Sequence, residues 1–136
     1  MVESEHSGYN GSGFKIGSSK TGIRHTVTNC VVWGNRNQGF YANHSSGGNN
    51  WYNNTSYNNG TQYDMLARTW DLNITPRDSD FLSVSDEGFM GPRRADGSLP
   101  DLNFMKLSNN SQMIDRGTTV GLPYNETAPD LGAYEF

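Results

Sequence analysis

A short pattern repeats in the first half of the chain at an interval of about two dozen residues. The segment NCVVWGN at residues 29–35 aligns with NNTSYNN at residues 53–59, which superposes asparagines at both ends and an aromatic residue between them. The segment GFKI at residues 13–16 aligns with GFYA at 39–42 and then with QYDM at 62–65. Self-similarity at this period indicates a stacked repeat architecture, in which each unit packs only on its neighbours.

The repeat units favour strands and turns over helices. Residues 29–59 contain ten asparagines in 31 positions, and asparagine and glycine are weak helix formers that favour turns. Short strands, polar turns and no amphipathic helix in the first 70 residues predict an all-β fold, a parallel β-solenoid. Successive coils lie ~4.8 Å apart, so equivalent side chains lie above one another. We therefore expect a buried ladder in which Asn29 lies over Asn53; the alternative is two unrelated loop asparagines.

The same alignment predicts a column of outward-facing side chains, Lys15, Tyr41 and Asp64. The flanking positions then face inward in two further columns: Phe14, Phe40 and Tyr63, and Ile16, Ala42 and Met65. Lysine, tyrosine and aspartate on a flat sheet are suited to binding sugar, because tyrosine offers a ring face and a hydroxyl, and lysine a charge for an acidic sugar. A surface column without a ligand explains the same residues, since lysine is usually exposed.

Composition and charge argue against several kinds of partner. The formal net charge of -4 argues against a nucleic-acid binder that uses a basic face. No apolar run approaches the ~20 residues of a membrane span, and the start MVESEHSGYN has no features of a signal peptide. One cysteine, Cys30, and three scattered histidines argue against a zinc site, and Cys30 is expected to pack as a small apolar residue.

From about residue 66 the repeat fades, and all five prolines follow. We expect a single domain over residues 1–136, with the repeat coils at 1–66 and a final coil and irregular C-terminal cap at 67–136. A terminal segment covering the last coil is expected because an open solenoid end exposes unpaired strand groups.

Several segments together resemble polysaccharide lyase family nine, the pectate lyases and related pectin-backbone lyases. They are NGSGFKIG, NCVVWGN with the following GF, YNNTSYNNG, and the closing run from DGSLPDLNFMKL to APDLGAYEF. The resemblance covers nearly the whole chain and corresponds to the C-terminal part of the family. It implies a right-handed parallel β-helix, here of about three coils, that acts on pectate as a secreted, periplasmic or cell-surface protein.

The resemblance also implies a reaction, β-elimination from galacturonate. The family's base is the lysine of a GFK strand, which matches Lys15 and would remove the proton at C5 before the C4–oxygen bond breaks. A calcium ion neutralises the substrate carboxylate in the family. A lysine is a base only when neutral, and nearby positive charge favours that form. Arg24, Arg93 and Arg94 could supply such charge or bind uronate carboxylates; the alternative is ordinary surface charge.

The chain departs from the family at the calcium site. The family's ligands are aspartates on coils before the lysine, whereas the residues before Lys15 contain Glu3 and Glu5 but no aspartate, so no metal ligand is predicted here. Tyr41 also stands where an aspartate is expected. We therefore expect a truncated pectate lyase that lacks its calcium site and either associates end to end or needs an N-terminal partner. The alternative is a non-catalytic carbohydrate-binding or structural β-solenoid.

Overall fold

The computed structural model describes residues 11–17, 22–43, 48–60, 68–69 and 74–136. Within these residues the regular structure consists of seven short strands and one 3-10 turn at Asp78–Asp80. The strands are β1 (Phe14–Lys15), β2 (Thr26–Thr28), β3 (Val31–Trp33), β4 (Phe40–Tyr41), β5 (Asn50–Tyr52), β6 (Thr55–Tyr57) and β7 (Arg68–Thr69). No helix in the described part of the chain is long and apolar enough to cross a membrane.

The first six strands form two successive coils of a parallel β-helix. Strand β1 pairs with β4, β2 with β5 and β3 with β6, each in parallel. The register joins Phe14 to Phe40 and Trp33 to Tyr57, as the sequence repeat predicted. The third predicted unit, at residues 62–65, lies outside the described residues, and so do Tyr63, Asp64 and Met65.

The parallel stack ends at β7, which pairs with β6 in the antiparallel sense. Thr55 is opposite Thr69 and Ser56 is opposite Arg68. Another coil of a parallel β-helix would need a parallel strand at this edge. The reversal at β7 therefore terminates this sheet and pairs an edge that would otherwise be open.

The interior of the coils is a small apolar core formed by Val27, Val32 and Phe40. Phe14 stacks on Phe40 with ring centroids 5.4 Å apart and an interplanar angle of 25°, which confirms the predicted inward column for these two residues. Cys30 packs against the same core, as predicted. Burial raises the pKa of the Cys30 thiol, which also donates to the carbonyl of Thr28.

Asparagine ladders join the two coils at their turns. Asn29 and Asn53 both have left-handed backbone conformations, with φ of 50° and 55°. The Nδ2 of Asn53 donates to Oδ1 of Asn29 at 3.0 Å, so the predicted ladder is confirmed. A second ladder, which the sequence analysis did not single out, joins Asn59 to Asn35. Both of its members are 3% exposed.

The glycines that precede Phe14 and Phe40 are required by close packing. A Cβ atom on Gly13 would lie 2.3 Å from Val32 Cγ1, and one on Gly39 would lie 2.3 Å from Ser56 Oγ. Neither distance is tolerable between non-bonded atoms. The GF dipeptide is thus the point where the backbone of each coil closely approaches side chains of the strand opposite it in the same coil.

The C-terminal segment, residues 74–136, packs along the outer face of β3 and β6. A second apolar cluster joins Val31 to the C-terminal residues Phe81, Phe104, Met105, Leu107, Met113 and Leu131. The rings of Trp33 and Phe104 meet edge to face at 5.1 Å, and Tyr57 contacts Phe81. The C-terminal segment therefore covers the side of both described coils, whereas the sequence analysis expected it to cover the last coil.

Hydrogen bonds to one turn anchor the end of this segment. Asn53 donates through Nδ2 to the carbonyl of Thr118 and accepts the Thr118 N–H at Oδ1. The backbone carbonyl of Asn53 accepts the N–H of Gly132. The same asparagine thus links two coils and binds the C-terminal segment.

Candidate functional site

Lys15 lies on the exposed outer face of the sheet formed by β1 and β4. Its register partner is Tyr41, and the Lys15 ammonium lies 5.9 Å from the centroid of the Tyr41 ring. This is a cation–π contact at the outer limit of its useful range. Two of the three predicted column members are therefore neighbours, whereas the third, Asp64, lies outside the described residues.

Backbone hydrogen bonds hold this pair of strands in register. The N–H of Phe14 donates to Gly39 at 2.8 Å, and the N–H of Ile16 donates to Tyr41 at 2.9 Å. The Cα atom of Lys15 is held between these two bonds, while its side chain extends into solvent. The paired strand therefore fixes the position of the Lys15 backbone, from which the side chain extends.

Two polar residues next to the site were missed by the sequence analysis. Ser12 Oγ donates to Gln38 Oε1 at 2.9 Å, and Gln38 is 3% exposed. Both residues immediately precede a GF dipeptide, so the repeat itself places them above one another. That signal was available in the alignment of GFKI with GFYA.

The predicted arginines are distributed over separate parts of the molecule. Arg24 is exposed just before β2. Arg93 donates to the carbonyl of Gly97, and Arg94 forms an ion pair of 3.7 Å with Asp101. These contacts of Arg93 and Arg94 lie within the exposed loops of the C-terminal segment, where both side chains have partners.

Two of the described aspartates, Asp80 and Asp130, fix the architecture of the C-terminal segment. Asp80 accepts from the backbone of Arg77 and from Gln112. Asp130 accepts N–H groups of Asp115 and Phe136 at 2.7 and 2.6 Å. These bonds fix turns of the segment along the outer face of β3 and β6.

The described surroundings of Lys15 do not fit a calcium site. Calcium prefers six to eight oxygen ligands that include carboxylates. Ser12, Gln38 and Tyr41 offer hydroxyl and amide oxygens only, and the described part of the chain contains no group of three acidic, histidine or cysteine side chains that could hold a metal. That the chain lacks calcium ligands altogether stays a prediction.

Comparison with known proteins places this fold in a family. The family model for the Pel9A-like right-handed β-helix region matches residues 2–80, more than half of the chain. The chain therefore belongs to the Pel9A-like right-handed β-helix family. The predicted resemblance to the pectate lyases of family nine and the predicted right-handed parallel β-helix are both confirmed.

Individual relatives carry the name of an enzyme. Pectate lyase L of Dickeya dadantii (strain 3937) is 33% identical over 93% of this chain and 37% of that protein. Pectate lyase L of Paenibacillus polymyxa (strain SC2) is 28% identical over 82% of this chain and 32% of that protein. The crystal structure of pectate lyase Pel9A superposes with a TM-score of 0.73 and 27% identity, over 98% of this chain and 42% of that chain. This chain thus spans less than half the length of these relatives.

Proposed function

We propose that this chain takes part in the cleavage of pectate by β-elimination, with Lys15 as the base. The observation that carries the proposal is the placement of the Lys15 amine beside the Tyr41 ring, on the exposed face of a sheet held in register by its backbone. The relatives named pectate lyase supply the reaction class.

In this proposal the neutral amine of Lys15 accepts the proton at C5 of a galacturonate unit. The electron pair of that C–H bond forms the C4–C5 double bond, the C4–oxygen bond breaks, and the departing sugar oxygen takes a proton from water. The C5 proton is acidic because it is α to the carboxylate, and neutralising that carboxylate lowers the barrier further.

Tyr41 is assigned to substrate binding, because its ring can pack on a sugar and its hydroxyl can donate or accept. Asp64 would continue the same column, and Arg24 would bind a uronate carboxylate. Arg93 and Arg94 are further candidates for the same role, and each would have to exchange a contact, with Gly97 or Asp101, for one with the substrate. With pectate as its substrate, the protein would act as a secreted, periplasmic or cell-surface protein.

The test is the ultraviolet absorbance of the unsaturated product formed from polygalacturonate, with and without added calcium. We expect Lys15→Ala and Lys15→Arg to lower the rate by about 100-fold or more, as loss of a general base does. Arginine keeps the charge but stays protonated, so it separates a base from a cationic binding group. Lys106→Ala is the matched control, because Lys106 pairs with Asp101 in the C-terminal segment. Wild-type rates in the Lys15→Arg variant would refute the assignment.

A second candidate function is binding of acidic polysaccharide without cleavage. The Lys15 side chain can pair with a uronate carboxylate while the neighbouring Tyr41 ring packs on the sugar, and neither contact requires a chemical step. Among the residues that the structure describes, no group of three acidic, histidine or cysteine side chains could hold a metal beside Lys15, which also suits binding without cleavage. Retention on immobilised polygalacturonate without product absorbance, reduced by Lys15→Ala and kept by Lys15→Arg, would favour this function over the lyase.

The coil stack also supports the expected end-to-end association or N-terminal partner. Oδ1 of Asn59 accepts from Asn35 in the coil above, whereas no described residue donates to the equivalent, buried Oδ1 of Asn35. Burying an unpaired acceptor is unfavourable, so a donor supplied from above would stabilise the stack. Sedimentation across a range of concentrations tests self-association, and a monomer at every concentration would contradict it.

A further inference from the structure

The C-terminal segment contains an open cleft that is separate from the Lys15 surface. Its volume is about 310 Å³, which is within the range of small-molecule sites. The cleft is lined by Ser83, Ser85, Glu87, Leu102, Asn103 and Phe104. Phe104 is 3% exposed and is also the residue against which Trp33 packs, so the floor of the cleft is part of the second apolar cluster.

The two walls of the cleft are connected by the backbone. Ser83 forms a parallel bridge with Phe104, and its carbonyl accepts the N–H of Met105 at 2.8 Å. The Phe89 ring also contacts Phe104, with ring centroids 5.7 Å apart, and so adds a second aromatic contact to the floor. These contacts preform the cleft, which lowers the cost of ordering it around a ligand.

The serine hydroxyls of the cleft are oriented by local turns. Ser83 Oγ accepts the N–H of Ser85 at 3.1 Å, and Ser85 Oγ accepts the N–H of Glu87 at 3.4 Å. A hydroxyl that accepts in this way still has its proton to donate. Among the described residues, no acceptor takes the Ser85 hydroxyl proton, and the Glu87 carboxylate has no hydrogen bond or ion pair. The cleft therefore presents a donor and a strong acceptor above an apolar floor.

A hydroxyl donor and a carboxylate acceptor above an apolar floor match the groups that a sugar presents. A sugar ring has hydroxyls that donate and accept, and a face of C–H groups that packs on apolar surface. The lining contains one carboxylate, Glu87, and no cation. A carboxylate binds hydroxyl donors well and repels a second carboxylate at a few ångströms. We propose that the cleft binds a neutral sugar unit and discriminates against uronates, the opposite preference to that of the cationic Lys15 surface.

A matched pair of ligands tests the proposal on the whole chain. Methyl β-galactoside and methyl galacturonoside share their ring hydroxyls and differ in the group at C6, a hydroxymethyl or a carboxylate. In amide NMR titrations at neutral pH we expect the galactoside to shift signals of residues 83–87 and 102–104. We expect the galacturonoside to bind there about fivefold to tenfold more weakly, the effect of like charges at a wet surface.

Glu87→Gln keeps the shape of the side chain and removes its charge, so it should bring the two affinities close to each other. Glu126→Gln, at an exposed turn, is the matched control and should leave the preference unchanged. Lys15→Ala should not alter galactoside binding, which keeps this result independent of any lyase activity. Absence of shifts at 83–87 and 102–104, or equal binding of both glycosides by the wild type, would overturn the proposal.

Discussion

The side chain of Asn59 supports Asn35 from the coil below. Its Oδ1 accepts both the backbone N–H and the Nδ2–H of Asn35, each at 2.9 Å. Its own Nδ2 donates to the carbonyl of Val32 at 3.0 Å and to Ser56 Oγ at 2.8 Å. Asn59 is 3% exposed, so water does not compete for these bonds. One amide thus satisfies polar groups of two coils that the turn would otherwise leave unpaired.

Asn59→Ala should therefore lower the free energy of unfolding by about 3 kcal/mol or more, because several buried polar groups lose their partners together. Urea denaturation followed by circular dichroism measures this change. Asn109→Ala, at an exposed position in the C-terminal segment, removes the same amide without buried partners and should be nearly neutral. A loss at Asn59 no larger than that at Asn109 would show that the ladder does not stabilise the coils.

Gly39→Ala tests the close approach of the backbone at Gly39 to side chains across the interior of the same coil. Its Cβ would lie 2.3 Å from Ser56 Oγ and 2.7 Å from Asn59 Nδ2, so the ladder must shift to admit it. Gly97→Ala is the comparison, because Gly97 has open space around the Cβ position but a φ of 86°. The Gly97 change should cost about 1 kcal/mol of backbone strain, and the Gly39 change clearly more. Equal thermal shifts in the two variants would refute a steric role for Gly39.

The repeat predicted the inside of the coils well because a stacked architecture places equivalent positions in the same environment. Phe14 over Phe40 and Asn29 over Asn53 follow from offsets that can be counted in the sequence. The Lys15–Tyr41 pair follows in the same way, since side chains on a strand alternate. Asn35 over Asn59 was equally visible in the alignment.

The packing outside the coils could not be predicted in this way. Phe81 and Phe104 lie in a stretch without periodicity, rich in turns and prolines, so nothing in their spacing identifies β3 and β6 as the surface they cover. The antiparallel pairing of β7 with β6 was also not predicted, because a strand of two residues has too little sequence to indicate the direction in which it will pair. The C-terminal cleft, which joins residues about twenty positions apart through one isolated bridge, was missed for the same reason.

Trp33 provides a test of the interface between the coils and the C-terminal segment. Its ring meets Phe104 edge to face, but its buried Nε1–H has no acceptor among the residues that the structure describes. Trp33→Phe keeps an aromatic edge and removes the unpaired donor, so it should change the free energy of unfolding by less than about 1 kcal/mol. Trp33→Ala should cost about 3 kcal/mol, because the apolar contact is lost. Equal losses in the two variants would indicate that the indole N–H has a partner, such as a bound water.

The acid limb of the stability profile should depend on Asp115. The N–H groups of Ala128 and Thr127 donate to its carboxylate and hold the pKa of Asp115 below the ordinary 3.8. Below 3.8 the unfolded chain binds this proton more readily than the folded protein, so the contribution to stability is present above that pH and is lost as the pH falls through the folded pKa.

Asp115→Asn keeps an acceptor and suits the left-handed backbone at φ 55°, but it cannot titrate. We expect the variant to be less stable than the wild type at pH 7, and the difference to shrink steadily below the ordinary aspartate pKa. Denaturant unfolding of both proteins over an acidic pH series measures this difference. If the difference in the free energy of unfolding stayed constant down to the lowest pH, the two N–H groups would bind the protonated carboxyl as well as the carboxylate. The Asp115 turn would then not contribute to the acid sensitivity of the protein.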